Sequence, residues 1–205
     1  MKNYLDLNAL QMDALREISN IGAGNAATSL SLMLNRKIDM AVPKVNISTF
    51  AEAVEIMGGA ESEVAGGYMV VKGETPMGIL FLISKDQLEY FLNMLFGTSN
   101  VTTNYEFNEI QSSAFLEVVN ILAGSYLNAL AAFTHCVFMP SVPALAVDMA
   151  GALLGEVLQR IGEVSDYTLV IENIFFEEEK QLKGHFLFLP EPKTLEILLN
   201  ALGVL

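Results

Sequence analysis

The sequence predicts an α/β fold with a pseudo-two-fold repeat, in which two long helices pack on a central, mainly antiparallel sheet. Three observations predict it. The same order of helix-like and strand-like segments occurs twice, in about residues 1–100 and again in 101–205. The strand-like runs come in pairs joined by turns, as in hairpins. Hydrophobic residues make up 52% of the 205 positions and no linker divides them, so we expect a single domain made of two similar halves.

Each segment of the first half carries its own signal. Apolar residues spaced by three and four predict the long helix, Pro43 opens an extended segment, the turn KGETP joins two strands, and a glycine ends the last helix. The predicted segments are a helix at 7–35, an extended run at 42–50, strands at 65–73 and 77–84, and a helix at 85–97. Those of the second half are a helix at 107–134, an extended run at 141–147, a helix at 149–161, strands at 167–178 and 183–190, and a helix at 193–203.

The two halves align without a gap over their first segments when the numbering is shifted by 100. Two copies with so long a period do not form a solenoid, and they imply halves related by a pseudo-two-fold axis. The identical pairs include Gln11 and Gln111, Glu17 and Glu117, Asn20 and Asn120, Gly24 and Gly124, and Pro43 and Pro143.

Composition excludes several classes of function. The net charge is -13 with only 11 scattered Lys and Arg residues, which argues against nucleic-acid binding. The single cysteine, Cys136, cannot form an internal disulfide, and the first residues contain no apolar run of signal-peptide length, so we expect a cytoplasmic protein. No charged residue lies between Glu117 and Asp148, but Pro140 and Pro143 interrupt that stretch. We therefore expect a buried helix and an extended segment, not a membrane span.

The stretch EISNIGAGN, residues 17–25, has glycines like those of a phosphate-binding loop. Such a loop needs Lys and then Ser or Thr after its last glycine, or three glycines between a strand and a helix. Here Asn25 and Ala26 follow Gly24, and a helical pattern precedes the glycines. We instead expect close packing of another element on the helix at these small residues, because each helical glycine costs about 1 kcal/mol.

A line of polar residues runs along each long helix, at offsets of 0, 4, 7 and 11 that place it on a stripe roughly 60° wide. The first stripe is Asp13, Glu17, Asn20 and Gly24, and the second stripe is Ser113, Glu117, Asn120 and Gly124. These side chains could hydrogen-bond within the fold, face solvent or bind a partner. Their repetition, each time followed 23 residues after the asparagine by a proline (20 to 43 and 120 to 143), favours a functional site.

The doubled pattern [Asp/Ser]-x3-Glu-x2-Asn-x22-Pro resembles the CheC/CheX/FliY family of chemotaxis phosphatases, which dephosphorylate the response regulator CheY. The resemblance covers the whole chain and both copies of the motif. It implies hydrolysis of the aspartyl phosphate of CheY, with Asn20 and Asn120 positioning the attacking water. It also implies that Glu17 and Glu117 dock the partner by meeting a lysine of its phosphorylated site.

Other residues have supporting roles in this interpretation. Asp13 and Ser113 would support the contact, and Pro43 and Pro143 would fix the chain where it enters the following strand. The resemblance further implies a second partner, the deamidase CheD, which CheC-type proteins bind. Asp148 lies in an apolar stretch and is a candidate either for such a partner contact or for a helix cap.

No metal site is expected, since two histidines and one cysteine do not make a metal cluster. Mg²⁺ would come with the phosphorylated regulator.

The second copy of the motif lies within the chain, so we expect a monomer. One alternative is a non-catalytic scaffold of the chemotaxis or flagellar switch system that binds the regulator, but a scaffold does not require Glu and Asn at the same spacing twice. Another, a small-molecule-binding α/β domain, would need a pocket.

Overall fold

The computed structural model describes residues 7–97, 107–161, 167–177 and 179–205. A seven-element order, helix–strand–strand–helix–strand–strand–helix, occurs twice along these residues. The elements of the first half are α1 (Ala9–Leu34), β1 (Asp39–Met40), β2 (Lys44–Thr49), α2 (Phe50–Ile56), β3 (Glu63–Gly73), β4 (Met77–Ser84) and α3 (Lys85–Phe96). Those of the second half are α4 (Glu109–Thr134), β5 (Phe138–Pro140), β6 (Ala144–Met149), α5 (Ala150–Ile161), β7 (Tyr167–Glu177), β8 (Lys180–Pro190) and α6 (Pro192–Ala201).

One sheet organises the molecule, with strand order β1-β7-β8-β4-β3-β5, β2 beside β7 and β6 beside β3. All strand pairs between the described residues are antiparallel. Residues of α1 and α4 share one hydrophobic core with the sheet, around Phe81, Phe115 and Phe186. A smaller core on the opposite face joins the sheet to α2 and α5, around Leu82 and Leu153. The α/β fold and antiparallel sheet predicted from the sequence are confirmed.

The two halves exchange strands. Strand β2 of the first half pairs with β7 of the second half, and β6 of the second half pairs with β3 of the first. The centre of the sheet is the contact between β4 and β8, again one strand from each half. Each half therefore completes the sheet of the other.

The long helices begin and end at equivalent signals. Asn8 and Asn108 cap their N-termini, each forming a capping box with the glutamine three residues later. Asn35 and His135 end them in the left-handed backbone conformation, at φ of 49° and 57°. These caps explain why the helices begin at positions 9 and 109, two residues later than predicted.

Helix α2 was not predicted. The extended run expected at 42–50 stops at Thr49. There a capping box made by Thr and Glu, in place of the Asn and Gln of the long helices, starts a short helix. The Thr49 hydroxyl accepts a hydrogen bond from the N–H of Glu52, and the Glu52 carboxylate accepts one from the N–H of Thr49. Strand β2 ends at this same residue, so the change from strand to helix coincides with the cap.

Helix α4 is the single helix of the described chain that is long and apolar enough to cross a membrane, with a mean hydropathy of 1.4 in its most apolar window. In this fold the apolar residues on one face of α4 pack in the core. Phe115, Val118, Val119 and Leu122 are at most 1% exposed, and they pack in the cluster formed with α1 and the sheet. One face of the helix is therefore buried, and 56% of its most apolar window lies inside the structure.

Helices α1 and α4 are in close contact where Gly22 meets Tyr126. A Cβ atom at Gly22 would lie 2.6 Å from Tyr126 Cδ1 and 3.1 Å from Tyr126 Cα. The tyrosine ring packs on Phe186, and its hydroxyl donates a buried hydrogen bond to Asn173 Oδ1. Tyr126 is thus fixed between α1 and strands β7 and β8, and the glycine expected to permit close packing does so here.

Strands β2, β7 and β8 carry a partly buried charged cluster, in which His185 and Glu172 are largely covered and the two lysines reach solvent. The Glu172 carboxylate lies 2.7 Å from Lys183 Nζ, 2.9 Å from Lys44 Nζ and 3.4 Å from His185 Nε2. Burial alone would raise the pKa of Glu172, but hydrogen bonds and charges from Lys183 and Lys44 outweigh it and lower the pKa to about 2. Burial, assisted by the charge of Lys183, lowers the pKa of His185 to about 4. At neutral pH the cluster therefore holds a charged glutamate beside a neutral histidine.

We expect Gly22→Ala to lower the free energy of unfolding by about 1–3 kcal/mol, because the new methyl group overlaps Tyr126 and overpacks the core. The matched control is Gly24→Ala, two residues along the same helix, where a Cβ meets nothing within 4 Å. That control should raise the free energy by about 1 kcal/mol through helix propensity. Urea denaturation measures both, and equal effects of the two substitutions would contradict this account of the helix contact.

We expect acid to destabilise the fold through His185. Between its unfolded pKa near 6.5 and its folded pKa of about 4, the unfolded chain binds a proton that the folded chain does not, so stability falls as pH falls. The loss across this window should be roughly 1–3 kcal/mol and should shrink in His185→Gln. Denaturation of both proteins at pH 7 and pH 4.5 measures it, and identical pH dependence would contradict the assignment.

Candidate functional site

The structure places both polar stripes on the outward faces of the long helices. Glu17, Glu117 and Asn120 are exposed, and Asn20 is half-buried. The buried residues of α1 and α4 occupy the other helix faces, which pack in the core. The motif side chains therefore remain accessible after the hydrophobic positions of the helices have been buried.

The Glu and Asn side chains of the stripes have no hydrogen-bond or ion-pair partner within the described part of the chain. The intramolecular hydrogen bonds that the sequence left open as an explanation are therefore not made by Glu17, Asn20, Glu117 or Asn120 there. A carboxylate and a carboxamide lie side by side on each helix and can accept or donate hydrogen bonds to an incoming molecule. No group of three or more His, Cys, Asp and Glu side chains that could hold a metal ion occurs in the described ranges.

The second stripe forms one wall of a groove of about 270 Å³. The structure thus brings together the motif residues Ser113, Glu117, Asn120 and Pro143, although Pro143 comes 23 positions after Asn120 in the sequence. The remaining lining residues were not identified from the sequence. These are Leu116, Pro140, Ser141 and Val142.

Val142 is 86% exposed, the highest fraction among large hydrophobic residues of the described chain. Its counterpart Val42 is 76% exposed. Both valines directly precede the motif prolines, which are themselves buried. The repetition of the Val–Pro pair was the sequence signal that could have identified this side of the groove.

Residues 41–43 and 141–143, which we call the proline loops, are each held by a strand of the other half. The N–H of Ser141 donates to the carbonyl of Val70 at 2.8 Å, and the N–H of Ala41 donates to the carbonyl of Ile174 at 2.9 Å. The Ser141 hydroxyl also accepts from the N–H of Val70 at 3.1 Å. Each motif proline is therefore positioned by the exchanged strands as well as by its own half.

The two copies differ beside the carboxylate. In the first, Arg16 Nη1 lies 2.9 Å from Asp13 Oδ1, and both side chains are exposed. In the second, Ser113 and Leu116 occupy these positions and line the groove. The first stripe therefore has an additional ion pair at its N-terminal end, and the second has an apolar wall.

The last residue of each stripe does not serve the close packing expected from the sequence. A Cβ at Gly24 or at Gly124 would meet no other atom within 4 Å. Of the glycines in α1, Gly22 is the one in close contact with another element, and it lies on a different face of the helix. The expectation is thus wrong for the two glycines that belong to the motif.

Asp148 lies apart from the residues that line the groove. It is an exposed residue of β6, opposite Val64 of β3, and its Oδ1 atom accepts a hydrogen bond from the N–H of Met149 at 2.7 Å. Met149 separates it from Ala150, where α5 begins. The interpretation of Asp148 as the cap of that helix is therefore wrong, because its strand continues for one more residue.

Comparison with known proteins agrees with the motif. The sequence model of the CheC-like family matches residues 10–47 and 110–147, one segment in each half. The CheY-P phosphatase CheC of Bacillus subtilis (strain 168) is 38% identical over 196 residues, which cover 94% of this chain and 94% of that protein.

Solved structures share the fold at low identity. Thermotoga maritima FliY superposes with a TM-score of 0.77 at 19% identity, over 97% of this chain and 98% of that one. CheX, in its complex with CheY, BeF₃ and Mg²⁺ from Borrelia burgdorferi, gives a TM-score of 0.52 at 17% identity, over 83% of this chain and 96% of that one. With 38% identity to a relative over nearly its full length and a family match at both copies of the motif, the chain belongs to the CheC-like family.

Proposed function

We propose that this protein is a phosphatase that hydrolyses the aspartyl phosphate of the chemotaxis response regulator CheY. The observation that carries the proposal is the pair of stripes, in which accessible Glu and Asn side chains, without partners among the described residues, occur at the same spacing on two helices. The name of its Bacillus subtilis relative, a CheY-P phosphatase with 38% identity, supports the same substrate.

Asn20 and Asn120 are assigned to the attacking water. Hydrolysis of an aspartyl phosphate needs a water molecule in line with the bond that breaks and neutralisation of the phosphoryl charge. A carboxamide can accept a hydrogen bond from that water through its oxygen and donate one through its nitrogen. Because each asparagine lies on a 26-residue helix packed on the sheet, its carboxamide is held on a rigid element, which favours catalysis by positioning.

Glu17 and Glu117 are assigned to docking. A carboxylate repels a phosphoryl group, so a glutamate one turn before the water-binding asparagine is useful only if it meets a cation of the partner. A lysine in the phosphorylated site of the regulator supplies that cation, and the ion pair orients the two proteins. Asp13 and Ser113, a further turn away, support this contact, while Pro43 and Pro143 fix the proline loops.

The remaining components belong to the partners. Mg²⁺ enters with the phosphorylated regulator, where it neutralises charge on the phosphoryl oxygens.

We further propose that the protein acts in the cytoplasm as a monomer containing both sites and that it binds CheD, with Asp148 as one contact. Asp148 is exposed and lies away from the groove residues, so such a contact would leave the groove accessible.

Phosphate release from labelled CheY, with and without this protein, tests the proposal. A phosphatase accelerates release at substoichiometric amounts. The alternative function, a scaffold that binds the regulator without hydrolysis, would leave the rate of release unchanged while still forming a complex.

We expect Asn20→Ala and Asn120→Ala each to reduce dephosphorylation, and the double variant to lower kcat on the order of 100-fold, because the water loses its alignment. The fold should persist, since neither side chain has a partner among the residues that the structure describes. The assay is single-turnover loss of phosphate from CheY. The matched control is Asn25→Ala, an exposed asparagine of α1 outside the first stripe, which should retain activity. A double variant with wild-type turnover at normal stability would refute the water-positioning role.

We expect the double variant Glu17→Lys, Glu117→Lys to lose binding of the phosphorylated regulator, because like charges at each contact cost several kcal/mol. The Asn20→Ala, Asn120→Ala protein should still bind, since it keeps the docking carboxylates. Affinity is measured with CheY carrying beryllofluoride and Mg²⁺ as a stable mimic of the phosphoryl group.

The control for net charge is Glu89→Lys with Glu196→Lys, which reverses two exposed glutamates on α3 and α6 and changes the charge by the same amount. That protein should bind normally. Equal loss of binding in the Glu and Asn double variants would refute the division of roles, and normal binding by Glu17→Lys, Glu117→Lys would exclude this helix face as the docking surface.

A further inference from the structure

Two partly exposed helical glycines have no explanation in the folding of the described residues. Gly24 and Gly124 lie well inside 26-residue helices, where glycine is less favourable than alanine, and a Cβ at either position meets no atom within 4 Å apart from its chain neighbours and the adjacent helix backbone. Nothing that packs in the described structure therefore requires the absence of a side chain there.

The neighbouring glycine shows the contrast. Gly22 is required by Tyr126, whose Cδ1 would lie 2.6 Å from an added Cβ. In the second half its counterpart is Leu122, so this glycine occurs once, where packing demands it. The glycine at the end of the stripe occurs in both halves, where packing does not demand it.

The position of these glycines relative to the asparagines is informative. Gly24 follows Asn20 by four residues, as Gly124 follows Asn120, so each glycine lies one helical turn C-terminal to the asparagine on the same face. A side chain on a helix leans toward the N-terminus and covers the turn before its own Cα. Any side chain at position 24 or 124 would consequently extend over the asparagine.

We propose that Gly24 and Gly124 are positioning residues whose missing side chains keep the surface over Asn20 and Asn120 open for the phosphorylated site of the regulator. This inference rests on the proposed function and specifies which part of the docking surface must stay empty. It makes side-chain size at these two positions a determinant of substrate access, because the asparagine must reach the phosphoryl group through the space that a larger residue would fill.

The test is a size series at both positions together: glycine, alanine and leucine. Both substitutions should stabilise the helices, raising Tm by about 2–4 °C per site for Gly→Ala. Access of the phosphorylated regulator to Asn20 and Asn120 should decrease as the side chain at positions 24 and 124 becomes larger. We expect the alanine protein to have a KM about 2–3-fold higher, and the leucine protein a KM at least about tenfold higher with a matching loss of affinity for CheY carrying beryllofluoride and Mg²⁺.

The combination of kcat and affinity distinguishes a loss of regulator access from a loss of catalysis. The Asn20→Ala, Asn120→Ala protein is expected to lose kcat and keep affinity, whereas the leucine protein should lose affinity and keep most of its kcat at saturating regulator. A matched control is Gly155→Leu on α5, a helical glycine that also has open space around its Cβ position and lies outside both stripes. It should change neither KM nor affinity.

Each outcome decides a separate point. Wild-type affinity and KM in the Gly24→Leu, Gly124→Leu protein would overturn the role of the glycines even if the wild-type protein is a phosphatase. Size-dependent affinity without phosphate release by the wild-type protein would uphold the glycines as docking determinants and reject the phosphatase. A wild-type protein that neither binds nor dephosphorylates the regulator would overturn both proposals.

Discussion

The close contact between Gly22 of α1 and Tyr126 of α4 sets the orientation on which the rest of the structure depends. With the tyrosine ring on Phe186 and its hydroxyl on Asn173, the two helices cannot rotate about their axes without breaking packing or a buried hydrogen bond. Their apolar faces therefore pack in the core. The polar stripes lie on the opposite, accessible faces of the helices.

Strand exchange makes the two candidate sites depend on each other. Each proline loop is hydrogen-bonded to a strand of the opposite half, through Val70 for one loop and Ile174 for the other. A site built in this way has its helix from one half and part of its support from the other. The duplicated sequence therefore forms one sheet that supports both candidate sites.

Much of the site could be predicted from the sequence because it depends on local geometry. Three polar residues and a glycine at helical spacing must share a face, and apolar residues spaced by three and four showed which faces would be buried. The accessibility of the Glu and Asn side chains follows from these two facts. Other features could not be predicted locally: Val142 borders the groove only because its loop is held against β3, and helix α2 begins only because Thr49 and Glu52 complete a cap.

The sequence by itself determined the α/β class, the two long helices and the residues of both stripes, because each of these follows from periodicity within a short segment. Only the tertiary structure decided which glycines are crowded and which are open. Gly22 and Gly24 are two positions apart, yet one meets a tyrosine from the other half of the chain and the other meets empty space. That difference depends on how two helices about a hundred positions apart are packed, and no local pattern specifies such a contact.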